Sequence, residues 1–133
     1  MGMPLAVARS VIATLLAEAA RAMPEEACGL LLGATNHIET ATPTRNVHPT
    51  PHTHFEIDPA ALIAAHKAAR AGGSQIAGYW HSHPTGNAKP SATDQASAGR
   101  DGKCWAIVAG GEVTFWRDLP GGFEPLPSRV VEG

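Results

Sequence analysis

The sequence has few cysteines, no excess of either charge and no long apolar run. Two cysteines among 133 residues do not form a CxxC pair and are too few for a disulfide framework, which predicts a reducing compartment. Ten basic residues stand against twelve acidic ones, with a net charge of -2 and no basic stripe, so nucleic-acid binding is not expected. Because no apolar run reaches membrane-spanning length, we expect a cytoplasmic protein that does not cross a membrane.

A chain of this length predicts one domain over residues 1–133 and is too short for a (β/α)₈ barrel. The segment RSVIATLLAEAARA has a basic residue, a short apolar run and small residues, as signal peptides do. Glu18 and Arg21 close that apolar run, and we expect an amphipathic helix instead. Its apolar positions recur three and four residues apart: Leu5, Ala8, Ile12, Leu15, Ala19 and Ala22.

Strand and helix patterns alternate along the rest of the chain. The strand patterns are EACGLLLGA, HIETATPT, QIAGYW, CWAIVAG and EVTFWRD, with the tail GFEPLPSRVVEG as a candidate edge strand. Asp58 followed by Pro59 predicts the start of a helix that two glycines end. A short helix, SATDQASA, is predicted after Pro90. This order predicts an α/β fold on a mixed sheet.

The stretch GYWHSHPTGNAKPSATD, residues 78–94, contains the residues with the clearest chemistry. His81 and His83 point to one side if the preceding strand continues through them. Two imidazoles and a carboxylate, which Asp94 can supply, are a common ligand set for catalytic zinc. A structural interpretation competes with this one, because HxH pairs often bind nothing and Ser91 with Asp94 fits an S-x-x-D capping box.

A hydrolytic metal site also needs a base that takes a proton from water. A carboxylate suits this role, and the residues alone leave several candidates open. These candidates are Glu25, Glu26, Glu56, Asp58 and Asp101. Glu25 and Glu26 begin a predicted strand and would therefore point to opposite faces.

Three motifs in order, EACG at 26–29, HSHP at 81–84 and PSATD at 90–94, resemble the JAMM/MPN-plus metalloprotease family. The family pattern is a glutamate, often in E-x-C-G, then H-[ST]-H-P and then S-x-x-D, with ten residues between the second histidine and the aspartate. The flanks RNV…FEIDP and GYWHSHP resemble small bacterial members, so the match covers roughly residues 24–94. The resemblance implies a single-domain JAMM/MPN-like α/β fold, with a mixed sheet flanked by helices and layered as in cytidine deaminases.

Carried over by position, the resemblance implies one Zn²⁺ per chain, held by His81, His83 and Asp94. It makes Glu26 the general base that takes a proton from the zinc-bound water and returns it to the leaving amine. It makes Ser91 the donor to the oxyanion that forms when water attacks a carbonyl. Ser91 would also cap its helix, and we expect the two roles to compete for one oxygen.

The implied activity is zinc-dependent hydrolysis of a peptide or isopeptide bond at the C-terminus of a ubiquitin-like or sulfur-carrier protein. Small bacterial members that look like this chain process sulfur carriers, and 133 residues leave little room for the insertions with which eukaryotic relatives hold ubiquitin. The alternative is a non-catalytic MPN-type scaffold or interaction module, although such members usually lack the ligands present here. A zinc nucleoside deaminase does not fit, because P-C-x-x-C is missing from the sequence.

The remaining polar and aromatic residues have simpler expected roles. We expect the loop with His48, His52 and His54 to be solvated, with metal binding as the alternative. Cys28 is predicted to pack in the core, with a thiol near the site as the alternative. His66 is predicted to be exposed. The three tryptophans are predicted to be core residues: Trp80, Trp105 and Trp116.

Overall fold

The structure, a computed structural model, describes residues 4–133; the first three residues of the predicted domain lie outside this range. Strands and helices alternate through most of it. Their bounds are β1 Leu5–Ala8, α1 Arg9–Ala22, β2 Cys28–Ala34, β3 His37–Thr44, α2 Pro59–Arg70, β4 Gln75–Ser82, α3 Ala92–Ser97, β5 Cys104–Ala109, β6 Glu112–Leu119, β7 Gly122–Pro125 and β8 Ser128–Val131.

These eight strands form one mixed sheet in the order β7-β6-β5-β4-β2-β3-β1-β8. The pairs β1/β3, β1/β8 and β4/β5 are parallel, and the other neighbours are antiparallel. Helix α1 contacts β1, β3, β4, β5 and β6, whereas α2 contacts β4. The predicted α/β fold on a mixed sheet is therefore confirmed.

The two edges of the sheet come together, because only Leu126 and Pro127 join β7 to β8. At about 4.8 Å between strands, a flat sheet of this size would hold its edges roughly 34 Å apart. Three residue steps span at most about 11 Å, so the sheet must curve strongly. The amide of Leu126 donates to the Phe115 carbonyl at 2.9 Å, and the amide of Leu5 donates to the Pro127 carbonyl at 2.8 Å. The predicted edge-strand tail thus supplies one strand at each edge.

The N-terminal segment differs from the prediction at its first residues. Helix α1 covers RSVIATLLAEAARA, but the preceding residues Leu5–Ala8 form β1. All four are buried and pair in parallel with β3 and β8, so tertiary pairing outweighs the helical spacing of Leu5 and Ala8. The buried residues of α1 are Val11 and Leu15, and the predicted face had omitted Val11.

Strand β4 lies in the interior of the sheet and leads to the HSHP motif. A Cβ atom at Gly78 would lie 1.7 Å from the carbonyl oxygen of Cys104, so only glycine lets β4 pair with β5 this closely. Trp80 and Trp105 are buried as predicted, whereas Trp116 is only partly buried. Within residues 4–133, the structure contains no helix with the length and apolarity needed to span a membrane.

Candidate active site

The two histidines of HSHP stand where β4 reaches the end of the sheet. Strand β4 ends at Ser82, but the amide of His83 still donates to the Val108 carbonyl of β5 at 2.8 Å. The backbone therefore stays extended through both histidines, and their side chains point to the same side. Their Nε2 atoms lie 3.0 Å apart, as the strand pattern predicted.

Asp94 reaches the same point from α3. Ser91 is the N-cap of this helix and forms a capping box with Asp94: the Asp94 amide donates to Ser91 Oγ at 3.0 Å, and the Ser91 amide donates to Asp94 Oδ2 at 2.9 Å. The carboxylate also lies beside the histidines, with Oδ1 3.1 Å from His81 Nε2 and Oδ2 3.0 Å from His83 Nε2. The capping and ligand interpretations are therefore compatible, because a carboxylate has about four acceptor positions.

The capping role predicted for Ser91 is present, and it uses only the acceptor capacity of the hydroxyl. In the capping box its oxygen accepts a hydrogen bond from the Asp94 amide. A hydroxyl has two acceptor lone pairs and one hydrogen to donate, so the cap leaves the hydrogen free. Ser91 and His83 line the same cavity, of about 180 Å³.

The donor set fits a metal ion. His81, His83 and Asp94 form the group of possible ligands found in the described part of the chain, with one atom of each lying within 4.8 Å of the others. Tetrahedral zinc with bonds of about 2.0–2.1 Å sets its ligand atoms about 3.3 Å apart, near the spacing seen here. His83 Nδ1 lies 2.6 Å from the Asn87 carbonyl oxygen. A ring nitrogen must donate in that bond, which leaves the Nε2 lone pair for a metal.

Burial and pairing shift the pKa values of all three groups. Burial lowers the pKa of His81, although Asp94 opposes this, and the neutral imidazole is the form that binds metals. Burial also lowers the pKa of His83, but its bonds to Asp94 and the Asn87 carbonyl raise it overall. Burial raises the pKa of Asp94, yet the hydrogen bonds to both histidines outweigh it and hold that pKa well below its usual range.

Glu26 lies beside this group, just before β2 rather than in it. Glu26 is 7% exposed as a residue, whereas Glu25 is exposed. Burial raises the pKa of Glu26 from 4.5 to about 7, with His83 lowering it and Asp94 raising it. Glu26 and His83 line the same 180 Å³ cavity. Burial and cavity lining therefore distinguish Glu26 from its neighbour Glu25.

The other candidate bases lie elsewhere. Glu56 and Asp101 are exposed. The Asp58 carboxylate caps α2 by accepting from the Ala60 amide at 3.1 Å, which confirms the predicted helix start. None of these three is among the residues that line the cavity beside Glu26.

Aromatic side chains hold the His81 ring, and the sequence patterns did not indicate this. Phe55 stacks on it with ring centroids 4.3 Å apart and 16° between the planes. Trp105, predicted only as a core residue, meets it edge-on at 5.6 Å. Phe55 follows a proline-rich loop, and the sequence around it does not indicate that its ring will stack on His81.

Three further predictions concern Cys28, the histidine loop and His66. Cys28 is 1% exposed, and burial raises its pKa to about 11, so the thiol stays protonated and packs as predicted. In the histidine loop, the rings of His48 and His54 stack with centroids 4.6 Å apart. His52 is exposed and lines the cavity with Glu26. His66 is exposed, as predicted.

Comparison with known families agrees with this geometry. Residues 8–119 match the Prok-JAB family, described as prokaryotic homologs of the JAB domain. The match extends over more than half of the chain. The chain therefore belongs to this family of JAB-domain proteins.

Two curated relatives are similar in sequence. A stretch of 93 residues is 39% identical to a Thermus thermophilus protein named probable TtuB-protein conjugate cleaving protease, and it covers 70% of this chain and 62% of the relative. A stretch of 88 residues is 33% identical to the desampylase of Haloferax volcanii, covering 65% of this chain and 63% of the relative. In both cases the match spans less than two thirds of the relative.

Solved structures show the same fold. The solution structure of a Desulfitobacterium hafniense protein has a TM-score of 0.84 and 28% identity, covering 96% of this chain and 93% of that one. A JAB1/MPN domain protein from Archaeoglobus fulgidus has a TM-score of 0.66 and 21% identity, covering 98% of this chain and 100% of that one. The JAMM/MPN-like fold implied by the sequence motifs is confirmed.

Proposed function

We propose that this chain is a zinc-dependent metallopeptidase or isopeptidase of the JAMM type. Its proposed substrate is a peptide or isopeptide bond at the C-terminus of a ubiquitin-like or sulfur-carrier protein. The observation that carries the proposal is the convergence of His81 Nε2, His83 Nε2 and the Asp94 carboxylate beside a cavity lined by Glu26. The names of the two relatives, a conjugate-cleaving protease and a desampylase, support the same class of substrate.

The proposal includes residues 1–133 as one catalytic domain that works in the cytoplasm. Cys28 and Cys104 are both free and buried, which is consistent with a reducing compartment. One Zn²⁺ held by His81, His83 and Asp94 would supply Lewis-acid polarisation of a carbonyl and a water with a lowered pKa.

Glu26 is the proposed general base. With its pKa raised to about 7 in the ion-free protein, it changes protonation state near neutral pH. It takes a proton from the attacking water and returns it to the nitrogen of the leaving amine. Its cavity is shared with His83, so this proton transfer takes place beside the ligand group.

Ser91 is the proposed donor to the oxygen of the scissile carbonyl, which becomes negative when water adds to the carbon. Its hydrogen is free because the capping box uses only its oxygen. A donor fixed before the reaction costs no reorganisation when the charge develops. The capping box therefore orients Ser91 as well as Asp94.

The test compares Glu26→Gln with Glu25→Gln, the same change one residue earlier on an exposed side chain. Zinc content is measured for both, together with the rate of cleavage of a ubiquitin-like carrier conjugate. We expect Glu26→Gln to keep its zinc and to lose about 10²–10⁴-fold in rate, as removal of a general base does. Glu25→Gln should match the parent.

A Glu26→Gln protein as active as the parent would disprove the assigned base. A parent that retains no zinc and cleaves no conjugate would instead support the alternative, a non-catalytic scaffold.

A further inference from the structure

Asn46 forms hydrogen bonds with three separate stretches of main chain around Glu26. Its Nδ2 donates to the carbonyl oxygens of Glu26 and His54, both at 3.0 Å. Its Oδ1 accepts from the amides of His48 and Glu56, both at 3.1 Å. A primary amide has two donor hydrogens and two acceptor lone pairs, so this side chain uses its full bonding capacity on the backbone.

Glu26 depends on this arrangement because it lies outside the regular sheet, which begins at Cys28. Its carbonyl accepts from Asn46, and its own amide donates to the Pro51 carbonyl at 2.7 Å. Both acceptor and donor groups of Glu26 are therefore bonded to one segment, residues 46–56. We name this segment the clamp loop.

The clamp loop also contributes to the rest of the site. His52 and Thr53 line the cavity with Glu26, and Phe55 stacks on His81. The loop is joined to itself at its base, where the Val47 amide donates to the Glu56 carbonyl at 3.0 Å. Movement of this loop would therefore displace the Glu26 backbone and the cavity wall together.

We propose that Asn46 is a positioning residue that fixes the Glu26 carboxylate against the His81, His83 and Asp94 group by fastening the clamp loop to the Glu26 backbone. The inference rests on the proposed function, since it takes Glu26 as the base. It adds a residue that touches neither the substrate nor the metal ligands. Displacements of about 1 Å are enough to cost an enzyme about 10²-fold in rate, so a single amide can have a large effect.

The test uses Asn46→Asp, which is nearly the same size and keeps an acceptor for the His48 and Glu56 amides. It replaces the donor Nδ2 by an oxygen facing two carbonyl oxygens. The matched control is Asn36→Asp in the exposed turn between β2 and β3. Asn46→Ala serves as a second variant that removes the bonds without adding charge.

In the kinetic arm, we expect kcat of Asn46→Asp to fall about 10–100-fold, the usual cost of losing an outer-shell partner. KM should change far less, because the lost interaction acts on the chemical step. Zinc content should equal that of Asn36→Asp. A kcat equal to that of Asn36→Asp, or a loss explained by missing zinc, would overturn the proposal.

The second arm is amide hydrogen exchange and does not depend on activity. In the parent, the amides of Glu26, His48 and Glu56 should be protected. In Asn46→Asp the Glu26 amide, whose acceptor is the Pro51 carbonyl of the clamp loop, should exchange at least about 10-fold faster, while the core amide of Leu31 is unchanged. Free exchange of these amides in the parent would refute the clamp without any variant.

The two arms separate the two hypotheses. If Glu26→Gln were fully active, the base assignment would fail. Accelerated exchange in Asn46→Asp would then still establish that Asn46 holds the loop, and unchanged exchange would refute the clamp as well.

Discussion

His81 lies on β4, which is paired on both sides, with β2 and with β5. Glu26 lies outside the strands, and its main chain is bonded to the Asn46 side chain and the Pro51 carbonyl. On the ligand side, main-chain ladders set the position of the histidines, and a capping box sets Asp94. At Glu26, the proposed base, the Asn46 side chain and the Pro51 carbonyl bond to the main chain instead. The proposed metal ligands thus lie on regular secondary structure, whereas the proposed base lies on chain that is held by a loop.

This difference indicates where substitutions should act. A change on the ligand side should alter metal binding, because the ligands are the end points of rigid elements. A change on the base side should alter the rate or the stability and leave metal binding intact.

The largest expected effect comes from the ligand side. Asp94→Asn keeps an oxygen that can accept from the Ser91 amide but loses the negative charge between the two histidines. We expect zinc affinity to fall at least about 100-fold, more than the cost of an outer-shell change, and cleavage to become undetectable. Competition with a chromogenic chelator measures the affinity, with Asp101→Asn, an exposed carboxylate, as the control. Equal affinity in the two variants would contradict the ligand assignment.

The next effect tests whether Ser91 has two roles. Ser91→Ala removes the acceptor of the Asp94 amide and should cost about 1 kcal/mol in the free energy of unfolding, as loss of an N-cap does. It should also reduce kcat about 10²–10³-fold through loss of the hydroxyl donor. Ser91→Thr keeps the hydroxyl and should recover most of both quantities. If Ser91→Ala lost stability but kept its kcat, Ser91 would be a helix cap and the proposed role as oxyanion donor would be wrong.

The smallest effect concerns the pH dependence of stability in zinc-free protein. The pKa of Glu26 is raised from 4.5 to about 7. At a pH between these two values, Glu26 keeps its proton in the folded state but has released it in the unfolded state. Stability from this group is present below pH 4.5 and is lost as the pH rises through about 7. Glu26→Gln should therefore be more stable than the parent at pH 8, by about 1–2 kcal/mol after allowing for solvent screening.

Urea unfolding of both proteins in chelator, at pH 5 and pH 8, measures this difference. The difference between the two free energies of unfolding should be small at pH 5 and larger at pH 8. A parent that is the more stable protein at pH 8 would show that Glu26 is not desolvated as its burial indicates.

Much of the fold and the ligand side could be predicted because their signals are local. The alternation of GYWHSHP places His81 and His83 on one side, and S-x-x-D places Asp94 on the first turn of a helix. The choice of Glu26 over Glu25 came from resemblance alone, since strand periodicity did not select it. The structure adds the physical distinction, a buried side chain against an exposed one.

The missed residues make contacts between segments far apart in the chain. Asn46 bonds to Glu26, 20 residues earlier, and Phe55 stacks on His81. An asparagine between a strand and a proline-rich loop is a recognised turn signal, but it does not indicate which backbone the amide will bind. The error at Leu5–Ala8 has the same cause, since only pairing with β3 and β8 makes that run a strand.

The pairing of β1 with β8 also has a consequence for the order of folding. Leu5 lies opposite Ser128 and Ala8 opposite Val131, so β1 must wait for a strand that lies more than a hundred residues later in the sequence. Until then, the outer edge of β1 beside the buried Leu5 and Val7 has no partner, and such edges pair readily with other chains. In a growing chain, this edge of the sheet can therefore close only after β8 has formed.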